Sequence, residues 1–263
     1  MPLSVVIIGA GNMSYNLACA FTNTDVKIKQ VYNRSQRGLL KISSMTKVPT
    51  CTSIYELDLS ADVYIIAVHD DAIPDVTKKL AERLSKGVVI THTSGSCTIE
   101  IFAPYFEHYG AFYPLQSLST ERIVDFEEVS VFISSSSEST WAHLEKLGKA
   151  ISSKVIPISD EDRSKLHLPA VLVNNFVNHI YSLAYDICQE QGISFEHLIP
   201  LMEETINRLK EERHPQDFQT GPALRGDKKT INHHRILLES HPSILRLYNY
   251  LTRHIQEYHE DPK

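Results

Sequence analysis

Two short runs of the chain are apolar at almost every position: Val5-Val6-Ile7-Ile8 and Val63-Tyr64-Ile65-Ile66-Ala67-Val68. Runs this brief and this continuously hydrophobic predict strands covered on both faces, as in a parallel sheet. Residues 26–32 alternate apolar and polar side chains and predict a second strand; 87–92, 110–117, 129–133 and 154–158 predict further ones. Between them, helical spacing predicts helices over 15–21, 36–44, 73–84 and 138–151, with a short one at 54–57. In the 138–151 helix Trp141, Leu144 and Leu147 fall on the inward stripe.

The texture changes at Ser159, where Ser159-Asp160-Glu161-Asp162 supplies an N-cap followed by acidic residues in the first helical turn. From there on only helical patterns occur. A long helix over 170–191 mixes Val171, Ile180, Leu183 and Ile187 with Asn174, Asn175 and Asn178 on adjoining faces, and Gly192 closes it. Helices over 195–210, 228–238 and 242–258 follow. The expected fold class is α/β: a doubly wound, mostly parallel sheet over residues 1–158, then an all-helical domain over 159–263. An apolar helix studded with amides, placed after such a sheet, is expected to pair with a second copy and to floor a cleft.

The first strand runs directly into Gly9-Ala10-Gly11-Asn12-Met13-Ser14 and then into a helix. That context is the one a dinucleotide site requires. Gly9 suits the tight turn, and Gly11 leaves room for a pyrophosphate beside the helix N-terminus, where free N–H groups and the helix dipole favour an anion. Ser14 takes the third small position, from which its hydroxyl is a candidate phosphate donor. At the end of the second strand an NAD-selective site carries an Asp or Glu for the ribose 2′-hydroxyl; here Asn33 stands there, followed by Arg34 and Ser35. A guanidinium, a hydroxyl and further charge from Arg37 or Lys41 suit a 2′-phosphate instead, so the expected cofactor is NADP(H).

Ligands of open parallel sheets lie beyond the carboxyl ends of the strands. Val68, His69 and Asp70, with Ile73, are therefore expected along the cofactor, and Asp70 or Asp71 is also expected to cap the next helix. The turn after the 87–92 strand brings Ser94, Gly95 and Ser96 to the same edge as hydrogen-bond donors, Ser94 toward cofactor or substrate, with His92 as a lining residue. Gln116 ends the next strand.

Composition narrows the class of partner. The 263 residues carry a formal net charge of −6 without a basic cluster, which argues against nucleic acid or an anionic membrane. No apolar run approaches the ~20 residues of a transmembrane helix, and the first strand begins close to Met1, so a cytoplasmic protein acting on a small molecule is expected. Cys19, Cys51, Cys97 and Cys188 are single and scattered, a pattern that fits reduced thiols and no metal site.

The order of parts resembles the pyrroline-carboxylate reductase and β-hydroxyacid dehydrogenase superfamily. More closely, the chain looks like the Rossmann-like NADP oxidoreductases with a C-terminal domain of unknown function, also labelled deazaflavin-type NADP oxidoreductases. The resemblance is carried by Gly9-Ala10-Gly11-Asn12-Met13, Asn33-Arg34-Ser35, His92-Thr93-Ser94-Gly95-Ser96, Phe112-Tyr113-Pro114-Leu115-Gln116, His167 with Asn174-Asn175, and Thr220-Gly221-Pro222 with Arg225-Gly226-Asp227. It implies a C-terminal domain of the 6-phosphogluconate dehydrogenase type, a homodimer through that domain, and a substrate site that includes Ser94, Gly95, Ser96, Gln116 and Arg225. The β-hydroxyacid dehydrogenases carry an acid/base lysine on the long helix; matching Asn175 to their asparagine puts Val171 in its place. His167, one turn earlier, is the replacement candidate, with Asn174 or Asn175 polarising a carbonyl or imine.

Two functions remain open on these residues. One is hydride transfer between NADPH and a small carbonyl or imine. The other is binding of NADP(H) without turnover, as a sensor or scaffold.

Overall fold

The computed structural model describes residues 2–211 and 214–260. These fall into two compact units, 1–175 and 176–263.

The first unit is built on one eight-stranded sheet. Its strands are β1 (Ser4–Ile8), β2 (Lys27–Tyr32), β3 (Thr50–Cys51), β4 (Val63–Ile66), β5 (Val89–His92), β6 (His108–Pro114), β7 (Val131–Ser135) and β8 (Val155–Pro157), in the spatial order β3-β2-β1-β4-β5-β6-β7-β8. All neighbours are parallel except β6 and β7. The order runs outward in both directions from β1 and β4, which makes the sheet doubly wound.

Alternation along the central strands sends side chains into two cores. Val5, Ile7, Val63 and Ile65 meet one layer of helices: α1 (Asn12–Thr22) through Leu17 and Phe21, α2 (Gln36–Thr46) through Leu39 and Ile42, and α4 (Glu138–Lys149) through Leu144 and Leu147. Trp141 packs against the same cluster while remaining partly exposed. Val6, Ile8, Tyr64 and Ile66 face the opposite layer, formed by α3 (Ile73–Ala81) through Ile73 and Leu80 and by Phe102 of the 3-10 turn Ile99–Phe102. Each such fully buried aliphatic or aromatic side chain contributes about 1.5–3 kcal/mol relative to exposure.

The expected elements are present, with shifted ends. The two-residue β3 is too short to leave a periodic signal. Helix α3 stops at Ala81, short of the expected residue 84, and the expected helix at 54–57 is a 3-10 turn, Ile54–Glu56. Helix α5 (Asp160–Ala170) starts at Ser159, whose hydroxyl accepts the Asp162 N–H, and Pro169 lies inside it. A proline lacks the N–H of the helical ladder. Directly after it, Val171–Phe176 is wound as a π-helix, and α6 (Val177–Glu190) follows. The stretch 170–191, expected as one helix, therefore changes winding at Asn174 and Asn175.

The second unit is helical, comprising α6, α7 (Ile199–Leu209), α8 (Lys228–Leu237) and α9 (Pro242–Glu260), with 3-10 turns at Phe195–Leu198 and Pro215–Phe218. Asp227 caps α8 by accepting the Thr230 N–H and hydroxyl. Helices α8 and α9 are tied by His234 to the Tyr248 hydroxyl at 2.9 Å and by Arg235 to Asn249 at 2.8 Å. Among the described residues, no helix is long and apolar enough to cross a membrane.

Candidate functional site

The parallel strands β1, β2, β4 and β5 end at one edge of the sheet, and a cleft of about 770 Å³ opens there. Its lining includes Gly9, Ala10, Gly11, Asn12 and Met13 from the β1–α1 turn, Asn33, Arg34 and Ser35 from the end of β2, and Val68 and His69 from the end of β4. Ten of the residues singled out in the sequence thus meet around one space.

The glycine turn owes its shape to packing and to backbone conformation. Gly9 has φ +117°, and a Cβ there would lie 2.3 Å from the carbonyl oxygen of Ala67. Only glycine fits. Gly11 is different: a Cβ on it would meet nothing within 4 Å, so its backbone faces open space. No side chain caps the N-terminus of the 11-residue α1, and its first N–H groups have no acceptor within the helix. At the end of β2, the Asn33 amide donates to the carbonyl and the hydroxyl oxygens of Ser35, fixing the turn; α2 begins without a side-chain cap. Arg34 and Arg37 line the cleft at this point, whereas Lys41 pairs with Glu121 at 3.4 Å.

Four residues expected along the cofactor lie outside this lining. Ser14 is buried and its hydroxyl donates to the Ala67 carbonyl at 3.3 Å. Ile73 is wholly buried in the core below α3. Asp70 caps no helix; its carboxylate accepts the hydroxyls of Ser94 and Ser96, each at 2.7 Å. Ser94 is in turn engaged, since its oxygen also accepts the N–H groups of Ser96 and Cys97. The loop after β5 is held from its other side by Asp160, which accepts the Thr98 hydroxyl and the Ile99 N–H, and by Arg163, which donates to the Cys97 carbonyl.

Arg163 is fully buried, and it also donates to Ser134 at 2.5 Å and to Asp160 at 2.6 Å. Burial by itself would raise the Asp160 carboxyl, but the Thr98, Ile99 and Arg163 donors outweigh it and hold the group below the usual range. His92, expected to line the site, is instead wholly buried against Phe102. Burial, with the Arg163 charge acting in the same direction, pushes it down to about 4. It is a neutral core histidine, whose Nδ1 accepts the Ser94 N–H.

His167, on α5, hydrogen-bonds through Nδ1 to the Tyr113 hydroxyl at 3.0 Å, and Gly95 packs on the pair. Asn174 and Asn175 are exposed in the π-helical turn. Gln116 lines a separate cavity of about 410 Å³ with residues 117–119 and 122–125. That loop is pinned to α1 by buried Asn16, which donates to the Ser119 carbonyl and accepts the Val124 N–H. Arg225 belongs to the second unit, in the turn between Gly221 and α8.

Sequence reasoning missed several residues of the cleft: Tyr32, Gly38, Ile54, Ala72, Asp75, Val76, Lys79 and Thr93. The contributors from α3 and its N-cap carry a usable signal. Ala72, Asp75, Val76 and Lys79 recur at three- and four-residue spacing, so they share a helix face.

Family models match the chain in two segments: residues 1–116 match a Rossmann-like domain and residues 129–255 the Domain of unknown function (DUF2520). Among solved structures, a candidate NADP oxidoreductase from Bacteroides fragilis shares 34% identity over 97% of this chain and 98% of its own, with a TM-score of 0.93. A protein from Thermotoga maritima is 22% identical over 98% and 100% of the two chains, at a TM-score of 0.77. A pyrroline-5-carboxylate reductase from Coxiella burnetii, 18% identical over 95% and 97%, has a TM-score of 0.60 and shares the fold. No curated protein matches. The chain belongs to the family in which a Rossmann-like domain is joined to the DUF2520 C-terminal domain.

Proposed function

We propose that the protein is an NADP(H)-dependent oxidoreductase acting on a small carbonyl or imine. The observation that carries this reading is the make-up of the cleft. Open backbone at Gly11 and the uncapped start of α1 suit a pyrophosphate, and Arg34, Arg37 and Ser35 beside the uncapped start of α2 suit a 2′-phosphate where an NAD site would have a carboxylate. Ile54, Ala72 and Val76 give one wall an apolar surface for a flat base, and Lys79 adds a cation, with Asp75 the one carboxylate of the lining.

A bound nicotinamide would supply hydride chemistry. The chain's own part is to hold the phosphates with backbone N–H groups and guanidinium, to fix the loop 93–98 through Asp70, Asp160 and Arg163, and to present hydrogen-bonding groups to the substrate. His167 is the proposed acid/base group, with Asn174 or Asn175 polarising the carbonyl, and Gly95, Ser96 and Gln116 are the proposed substrate contacts, the Ser94 hydroxyl being already committed to Asp70.

The helical domain is proposed to pair with a second copy. In the single chain it leaves large apolar side chains exposed, among them Leu201, Ile206, Ile236 and Leu237, each more than half exposed.

The test is a fluorescence titration with NADPH and with NADH. Selective NADPH binding supports the reading, and wild-type protein that binds neither nucleotide refutes it.

A further inference from the structure

We propose that the Tyr113 phenol is the proton donor of the reaction and that His167 is the positioning residue that orients and replenishes it. This rests on the oxidoreductase reading above and moves the proton-donating role from His167 to the Tyr113 hydroxyl that His167 holds.

The sheet order places the pair. Strand β6 lies beside β5 and runs parallel to it, so Tyr113, next to last in β6, stands at the same carboxyl edge as the cleft, one strand beyond β5. Thr93, just after β5, lines that cleft. Two residues on, Gly95 packs so closely that a Cβ there would lie 2.6 Å from His167 Nδ1 and 3.0 Å from the Tyr113 ring. A glycine at this point lets the loop close over the pair. The phenol and imidazole meet at 3.0 Å with their rings edge to face at 71°. Hydrogen bonds from Ser94 and Ser96 to Asp70, and from Arg163 and Thr98 across the loop, leave this arrangement little freedom.

The chemistry fits a donor. Tyr113 is 7% exposed, and burial holds its phenol above the ordinary value; Arg163 opposes the shift and Asp70 assists it. It stays protonated at neutral pH. For its O–H to face a substrate, the imidazole must donate Nδ1–H to the phenol oxygen. The substrate then gains two electrons as hydride and one proton from the Tyr113 hydroxyl. The phenol oxygen takes the Nδ1 proton of His167, whose Nε2 takes one from water, with hydroxide released to the solvent. The ring ends neutral in the other tautomer, and charge and protons balance.

The test compares wild type, Tyr113→Phe and His167→Gln with two probes at saturating NADPH. 2,2,2-Trifluoroacetophenone needs a proton on reduction; N-methyl-3,4-dihydroisoquinolinium, already cationic, needs none. The expected result for Tyr113→Phe is a loss of about 100-fold or more on the ketone, with the iminium rate and NADPH affinity within roughly threefold of wild type. For His167→Gln a smaller ketone-selective loss is expected. A second readout is independent of turnover: nitrogen NMR of labelled wild-type protein should show His167 protonated on Nδ1, and Tyr113→Phe should shift that population.

Equal loss on both probes, loss on neither, or a His167 protonated on Nε2 alone overturns the proposal while leaving NADPH binding intact. Wild-type protein that binds NADPH and reduces neither probe overturns it together with the oxidoreductase reading. Failure to bind NADPH at all defeats that reading first.

Discussion

Replacing Arg163 with methionine tests whether the loop bordering the candidate site is held by a buried ion pair. Arg163 is buried, and its guanidinium bonds to Asp160, Ser134 and the Cys97 carbonyl. Methionine follows the aliphatic stem but restores none of these bonds. Removing one partner of a buried pair costs about 3–5 kcal/mol, because the other charge is left without compensation. Asp160 is a quarter exposed on its side chain and keeps the Thr98 and Ile99 donors, which places the expected cost near the lower end, about 3 kcal/mol. For a protein of this size that corresponds to a fall in Tm of roughly 6–12 °C. Urea and thermal unfolding of Arg163→Met measure it. Arg163→Met combined with Asp160→Leu, which removes both charges, should recover part of the loss. A single variant within about 0.5 kcal/mol of wild type, the ordinary range for surface sites, refutes the claim that the buried pair holds the loop.

Arg34→Ala should weaken NADPH by roughly 10–100-fold, the loss of a charge-assisted phosphate contact, and leave NADH nearly unchanged; equal loss of both nucleotides in the titration rules out a 2′-phosphate contact. Gly9→Ala sets a Cβ against the Ala67 carbonyl at a φ of +117°, and unfolding should show a destabilisation of about 2 kcal/mol or more, whereas Gly11→Ala should fold normally. Asn16→Ala orphans the Ser119 carbonyl and the Val124 N–H, so a loss of about 2 kcal/mol is expected, with faster hydrogen exchange at Val124. His92 titrates near 4 when folded against 6.5 as its ordinary value, so below pH 6.5 the unfolded chain binds the extra proton. Its contribution is intact above pH 6.5 and falls by up to about 3 kcal/mol as the pH drops to 4; His92→Phe should flatten that part of the stability–pH curve, and an unchanged slope refutes the assignment.

What the sequence determined by itself is whatever depends on near neighbours along the chain. The apolar runs at 5–8 and 63–66 dictate strands because such a surface must be covered on both faces. Gly9 dictates the turn because no other residue tolerates its conformation. The missing carboxylate after β2 is visible as Asn33 next to Arg34. Helical periodicity beyond Ser159 is equally local, and the all-helical second half follows from it.

Tertiary structure decided which polar groups remain available. Ser14, Ser94 and Asp70 look identical on paper to ligand contacts, yet Ser14 is taken by the Ala67 carbonyl and Asp70 by two hydroxyls from a neighbouring strand's loop. The Asp70–Ser94 partners are separated by 24 residues and Tyr113 and His167 by 54; only the order in which the strands are laid side by side brings them together. Lys79 reaches the cleft through the face that α3 turns to the sheet edge, and Arg163 is buried where its composition alone predicts a solvated surface residue. Periodicity reports which side of an element is apolar. The partner across the fold is set by long-range packing, which leaves no periodic trace in the chain.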